Sequence, residues 1–345
     1  MIHESVGVSA RWSAVRRIAG YSAASTLSLY LVVKAIWIVA LLSGNGSPEI
    51  RTDTADWVVL NAVTVGMSLI GVVLGLALAQ PWGRRLPAAA LIFVAWAGVG
   101  FLIPMLPYML VTAVLGAAGA GTGTGTEATS AEGGVVMHDW DTALISIGFA
   151  GMAMGLAVGL PIYMWERWPH AFVGRLDDAS PAAALPRSPW NLHMVRTTMV
   201  VACALGILWL YWAVGGTLGL DPARLDPMDL NGRLLSGNSA IWAFIGAWSV
   251  RLIAGRRSAS RLPFWIPMAL AFTASGSLFA WSGWKLTMTL LRPGGYVPAE
   301  DLVVAVVQHA AAIGAGLAIM AVLVQGYRAR ALMHSSGLPG PLPQA

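Results

Sequence analysis

The sequence predicts an all-α protein, a bundle of eight transmembrane helices with both termini in the cytoplasm. Three observations predict it. Only 11% of the 345 residues are charged and 57% are hydrophobic, with a mean hydropathy of +0.68. Eight apolar runs are long enough to cross a bilayer. Arginines crowd into every second connection between those runs and are sparse in the others.

A soluble domain carries roughly 25% charged residues. A chain this poor in charge cannot cover a soluble surface, so lipid is its expected solvent. The net charge of +5 is modest, and the basic residues are spread over short connections. No basic face is built for nucleic acid, which is excluded as a partner. The single cysteine, Cys203, lies in an apolar run, can form no internal disulfide and reads as a small packed hydrophobe. Arg16 and Arg17 precede a first apolar run of more than 20 residues. That is longer than the roughly 7–15 residues of a signal-peptide core, so an uncleaved first helix is expected.

A bilayer core about 30 Å thick needs about 20 apolar residues in a helix. The candidate spans are 20–42, 57–79, 87–115, 142–165, 196–214, 241–254, 263–291 and 302–325. The sixth is short unless 236–240 join it. With eight spans, fifteen arginines fall on one side, among them Arg16, Arg17, Arg84, Arg85, Arg256 and Arg257. The other side holds only Arg51, Arg224, Arg233 and Arg292. The arginine-rich side is expected to be cytoplasmic. The outer connections are acidic or neutral, with Asp53, Asp56, Glu127, Glu132, Asp139, Asp141, Asp226, Glu300 and Asp301. Carboxylates at outer helix starts also suit helix N-termini. The glycine–threonine stretch 121–126 reads as an exterior connector, since no lysine follows it as in a phosphate cradle. Tryptophans near span ends, such as Trp12, Trp140, Trp265 and Trp281, read as an interfacial belt.

The two halves look alike. The turn Gly83-Arg84-Arg85-Leu86-Pro87 is matched by Arg256-Arg257 followed by Arg261-Leu262-Pro263, and each Leu-Pro opens a long apolar run. Met154-Gly155-Leu156-Ala157-Val158 is matched by Ala315-Gly316-Leu317-Ala318-Ile319, and the same shift sets Asp139 against Glu300. Four helices per half would make a parallel repeat about an axis along the membrane normal. The chain then divides into an N-terminus (1–19), a first four-helix repeat (20–165), a cytoplasmic linker (166–195), a second repeat (196–325) and a tail (326–345). Gly151, Gly155 and Gly159, and Gly71 and Gly75, are spaced by four and should let helices approach closely inside the bundle, with homodimer contact as the lesser use. Pro104 and Pro107 should kink the third span.

Few residues could carry chemistry. The only two lysines, Lys34 and Lys285, both sit in apolar segments. A cation at the bilayer centre costs roughly 2.5–3.5 kcal/mol on insertion scales. Lys285 lies near a span end and can snorkel outward. Lys34 lies too deep for that and should face the interior or a water-filled cavity. Its expected partners are backbone carbonyls, Asn61, or an outer acid such as Glu300 if a vestibule dips inward. His309, with Gln308 beside it, is the only histidine within a span. A lone histidine makes a poor metal site. No catalytic, nucleotide or cofactor motif is present. The candidate ligand-contacting set is therefore Lys34, Asn61, Lys285, Gln308 and His309, with no catalytic, cofactor or metal assignment.

The runs Gly20-Tyr-Ser-Ala-Ala-Ser-Thr-Leu-Ser-Leu-Tyr-Leu-Val-Val-Lys34 and Leu60-Asn-Ala-Val-Thr-Val-Gly-Met67, with the turn Gln80-Pro-Trp-Gly-Arg-Arg-Leu-Pro87, resemble uncharacterised multi-pass membrane proteins of GC-rich actinobacteria. The resemblance implies a plasma-membrane location and carries no site residues. Two functions are expected from the residues. The first is a transporter-like or permease-like protein with a cavity between the halves for a small or anionic solute or lipid. The second is a non-catalytic scaffold or regulatory protein whose arginines contact anionic lipid or a membrane partner.

Overall fold

The computed structural model describes residues 9–44, 54–118, 139–169, 172, 174–176, 189–221, 229–255, 262–293 and 296–335. The 121–126 stretch, Arg51, Asp53, Glu127, Glu132, Asp226, Arg256, Arg257 and Arg261 lie outside the described residues, as do the side chains of Asp56, Asp139 and Asp141. Among the described residues the fold is all-α. Its helices are α1 (Ala10–Leu42), α2 (Thr54–Ala79), α3 (Ala88–Leu102), α4 (Met105–Ala117), α5 (Asp139–Arg167), α6 (Pro189–Ala213), α7 (Leu230–Ala254), α8 (Trp265–Leu291) and α9 (Leu302–Ser335). A 3-10 turn, Pro81–Arg85, joins α2 to α3.

Each predicted span has a helix, and the third is broken into α3 and α4 where Pro104 falls. Six spans are long and apolar enough to cross a membrane: Ala10–Leu42, Val58–Ala79, Ala88–Ala117, Ala143–Arg167, Leu192–Ala213 and Leu302–Ala329. This is compatible with an integral membrane protein. The other two helices, α7 and α8, reach 25 and 27 residues but are less apolar. Many of their polar groups point inward, with Asn231, Asn238, Ser249, Thr273, Ser275, Ser277 and Ser282 all buried. Helix α1 also begins ten residues before the predicted span and α9 ends ten after it. Hydropathy marks the oily part of a helix, whereas the backbone ladder continues into flanking polar residues.

Helix α1 shows why lipid suits the surface. One stripe, Leu29, Val32, Ile36 and Val39, is exposed, while Ala23, Leu27, Tyr30, Val33, Trp37 and Leu41 are buried. A helix that is apolar on both faces needs protein on one side and hydrocarbon on the other. Helix α1 packs between α2 and α5. The contacts run over small residues: a Cβ on Gly20 would come 2.7 Å from the Gly75 carbonyl, and one on Gly155 would come 2.6 Å from the Ala23 Cβ. The spaced glycines thus serve packing within the chain.

Helices α6 to α9 form the second four-helix group, with α6 on α7, α7 on α8 and α8 on α9. The groups meet where α3 lies on α8. Trp96 Nε1 donates to Ser275 Oγ (2.9 Å), its ring stacks on Phe279 with centroids 4.6 Å apart, and Trp281 Nε1 donates to the Phe101 carbonyl (3.0 Å).

The two ends are tied differently. At one end Arg16, buried, donates to the Leu78 carbonyl and lies 3.3 Å from Glu166, which also accepts from Ser13 and pairs with Arg84. Tyr163 and Arg167 donate to carbonyls of the 3-10 turn and its exit, Gly83 and Leu86. At the other end the α6–α7 and α8–α9 connections pair as a short bridge at Leu220 and Glu300, with Asp221 N donating to Ala299 O and Asp301 N to Gly219 O. Gly219 takes a φ of +85°, a turn that favours glycine.

Candidate functional site

A cavity of about 70 Å³ opens inside the second four-helix group, at the end carrying the Leu220–Glu300 bridge. Its walls come from every helix of that group. Helix α6 supplies Trp209 and Trp212, α7 supplies Ser236 and Ser239, α8 supplies Ser277, Trp281, Ser282 and Lys285, and α9 supplies His309. Glu300 enters from the residue pair preceding α9, and Met105 reaches in from α4. The cavity expected between the halves lies off the α3–α8 seam, which is closed by glycine and stacked rings; its wall comes from the second group together with Met105 of the first.

The polar wall has a defined polarity. Trp209 Nε1 donates to Gln308 Oε1 (2.8 Å), and Gln308 Nε2 donates to Glu300 Oε1 (3.0 Å). Indole can only donate and carboxylate can only accept, so the two contacts fix the orientation of the Gln308 amide. Trp212 and Trp281 send their N–H groups away from the space, to the Leu218 and Phe101 carbonyls. Ring faces, serine hydroxyls and one charge of each sign remain to line it. Burial alone would raise the Glu300 carboxyl, but the Lys285 charge, a backbone hydrogen bond, His309 and the Gln308 amide together hold it below the ordinary glutamate value. Among the described residues, the His309 Nδ1 atom is buried with no hydrogen-bond partner. Among the described residues, no three His, Cys, Asp or Glu side chains come together as a metal site.

The structure divides the sequence-derived candidates into two places. Lys285, Gln308 and His309 gather at the cavity, joined by Glu300. Lys34 and Asn61 are fully buried in the first half and do not line it. The Lys34 ammonium sits over the rings of Trp37 (4.5 Å) and Tyr30 (5.5 Å). The antiparallel register of α1 and α2 sets its depth. Gly20 faces Gly75, Lys34 follows Gly20 by fourteen residues, and Asn61 precedes Gly75 by fourteen, so Lys34 and Asn61 lie at one level. Of the two places expected for Lys34, the interior or a water-filled cavity, the structure has the enclosed interior, and Lys285, half-buried near its span end, lies on the cavity wall.

Two further expectations change. Trp281, read as part of the interfacial belt, lines the cavity, whereas Trp12, Trp140 and Trp265 are exposed near helix ends. Asp301 caps α9 by accepting from Val303 N, and Asp229 caps α7 by accepting from Gly232 N, but Glu300 turns to the cavity. Sequence reasoning passed over the serines of α7 and α8. Their signal was available, because these two helices are diluted in apolar residues relative to the others.

No family model, no curated protein and no solved structure matches this chain.

Proposed function

We propose that the protein is a permease-like integral protein of the plasma membrane that admits a small polar solute to the cavity in its second four-helix half. In this reading all eight spans cross the bilayer, the arginine-rich end is cytoplasmic with both termini, and the cavity lies in the outer half of the bundle. One observation carries it: Lys285, Glu300, His309 and four serines surround one space inside an apolar bundle. Groups that are expensive to bury are rare in a membrane unless they serve a cavity or a path.

Size and charge narrow the solute. A water needs roughly 10–15 Å³ of such cavity space, so 70 Å³ admits about five waters or one small polar solute. Lys285 and Glu300 cancel, which favours a solute with no net charge over an anion. Serine hydroxyls both donate and accept, as a small amide requires.

The test is flux into proteoliposomes containing the full chain, followed by light scattering after a step in formamide or urea. Flux above protein-free vesicles, lost in Lys285→Met and His309→Leu, is the expected result. Equal flux with and without protein for water and both solutes rejects the reading.

A second reading has its own observation. Arg17, Arg84 and Arg85 are exposed beside the buried Arg16–Glu166 pair, a basic rim that suits anionic lipid headgroups or a partner's acidic face. A scaffold would keep its lipid or partner binding when the cavity is filled by Ser239→Leu.

A further inference from the structure

We propose that α4 is the gate of the cavity, hinged at Ile103–Pro104 and latched by Tyr108 to Asn231. The inference rests on the reading of the cavity as a solute site and concerns how that site is reached.

The hinge follows from backbone chemistry. Pro104 and Pro107 have no N–H, so the carbonyls of Gly100 and Ile103 lose their normal donors four residues on. The helix breaks there, and the Ile103 carbonyl accepts instead from Leu106 N, three residues on. On the α3 side of the break the chain is fixed. Trp96 and the Phe101 carbonyl are hydrogen-bonded to α8, and Gly100 lies on Gly276.

On the other side it is held thinly. No residue of α4 is buried, and Leu110 and Val114 are 67% and 60% exposed. The main contact of α4 outside its own span is with α7, where Tyr108 Oη donates to Asn231 Oδ1 at 2.6 Å. Met105 lies three residues before Tyr108, on the same helical face, and forms part of the cavity wall. Releasing the tyrosine therefore frees the helix that carries this wall, while α3 stays docked. Nothing else in the wall combines a broken helix ladder with so little burial.

Thiol accessibility tests the gate without knowing the solute. The full chain, with Cys203→Ala to remove its native thiol, carries Ser239→Cys in the cavity and is held in lipid nanodiscs, where both faces meet water. A small methanethiosulfonate reagent reports the opening rate. Tyr108→Phe removes one hydrogen bond, and about a fivefold faster modification of the reporter is expected. Cross-linking Tyr108→Cys to Asn231→Cys with a bis-maleimide, before a masked reporter thiol is released, should slow modification at least as much. A second reporter, Ser249→Cys, fully buried and remote from the cavity wall, should keep its rate in the Tyr108→Phe background. Unchanged rates at position 239 overturn the gate. Equal acceleration at 239 and 249 also overturns it, because the substitution would then loosen the whole bundle. Neither outcome touches the solute reading, which stands or falls on flux.

Discussion

Gly100 of α3 lies directly on Gly276 of α8: a Cβ on Gly276 would come 3.1 Å from the Gly100 Cα and 2.5 Å from the Trp96 carbonyl oxygen, and one on Gly100 would overlap the Gly276 backbone. The two glycines also share a sequence position. Each stands thirteen residues after the proline of a Leu-Pro pair, Pro87 in one half and Pro263 in the other. A twofold relation between halves, the expectation from the sequence, would bring equivalent residues together at its axis. The fourth helices depart from it. Gly155 packs on Ala23 of the first helix in its half, while Gly316 packs on Ser275 and Phe279 of the third helix in its own.

The glycine crossing should be intolerant of a methyl group. Gly100→Ala drives a Cβ into backbone that cannot rotate away, and overpacking of this kind costs about 1–3 kcal/mol. Gly283→Ala, on α8 with open space around the added carbon, should be neutral or stabilise by up to about 1 kcal/mol through helix propensity. Unfolding of both variants in mixed micelles checks the contrast. Equal effects would mean that α3 and α8 do not approach as described.

Glu166 should matter more than its exposed arginine partner. Its side chain and that of Arg16 are each 7% exposed, whereas Arg84 is 58% exposed. Glu166→Gln leaves the Arg16 guanidinium buried without its counter-charge, a loss of about 3 kcal/mol. Arg84→Gln removes a solvent-screened pair and should cost under about 1 kcal/mol. The measurement is the shift in unfolding midpoint, with the larger shift expected for Glu166.

These contrasts show how much was legible in the sequence. Apolar run length located a helix for every predicted span, because burying backbone in hydrocarbon demands helices of that length. The break at Pro104 was legible for the same kind of reason, since it is local backbone chemistry. The site was legible only in part. Lys285, Gln308 and His309 stand out as polar residues in apolar runs, but nothing local says that Lys285 faces Glu300 from the next connection while Lys34 is enclosed by α2. Such partnership depends on helix rotation and on loop pairing, here the Leu220–Glu300 bridge. Glu166 was missed because it ends an apolar run, where a charge looks like ordinary solvation.

Glu300 gives the protein an acid-sensitive contact. A carboxyl held below its ordinary value of 4.5 in the folded state stabilises the fold fully above that value. As the pH falls below about 4.5 the unfolded chain takes up the proton first, so stability drops until the folded group protonates too. Melting temperature should therefore decline between about pH 5 and 3, and Glu300→Gln should remove that part of the decline. Gln308→Leu takes away one of the hydrogen bonds that favour the carboxylate and strands the Trp209 N–H. It should move the acid transition upward and cost about 1–3 kcal/mol. An identical pH profile in wild type and Glu300→Gln would show that the carboxylate contributes nothing to the fold.

The two lysines separate structure from function most sharply. Lys34 is fully buried over Trp37 and level with Asn61, so Lys34→Met, which keeps side-chain length and removes charge, should change stability and leave solute flux within about twofold of wild type. A buried ion replaced by a packed apolar chain can be neutral or even stabilising, so the sign of that stability change reports how well the ammonium is satisfied. Lys285 is half-buried on the cavity wall. Lys285→Met should reduce flux at least about tenfold, the effect of losing roughly one charged hydrogen bond to the solute, and should also lose the part of the neutral-pH stability that its charge gives the Glu300 carboxylate. Flux measured on both variants in the same proteoliposomes decides between the halves. Should Lys34→Met abolish transport while Lys285→Met spares it, the solute path runs through the first four helices and the cavity in the second is structural.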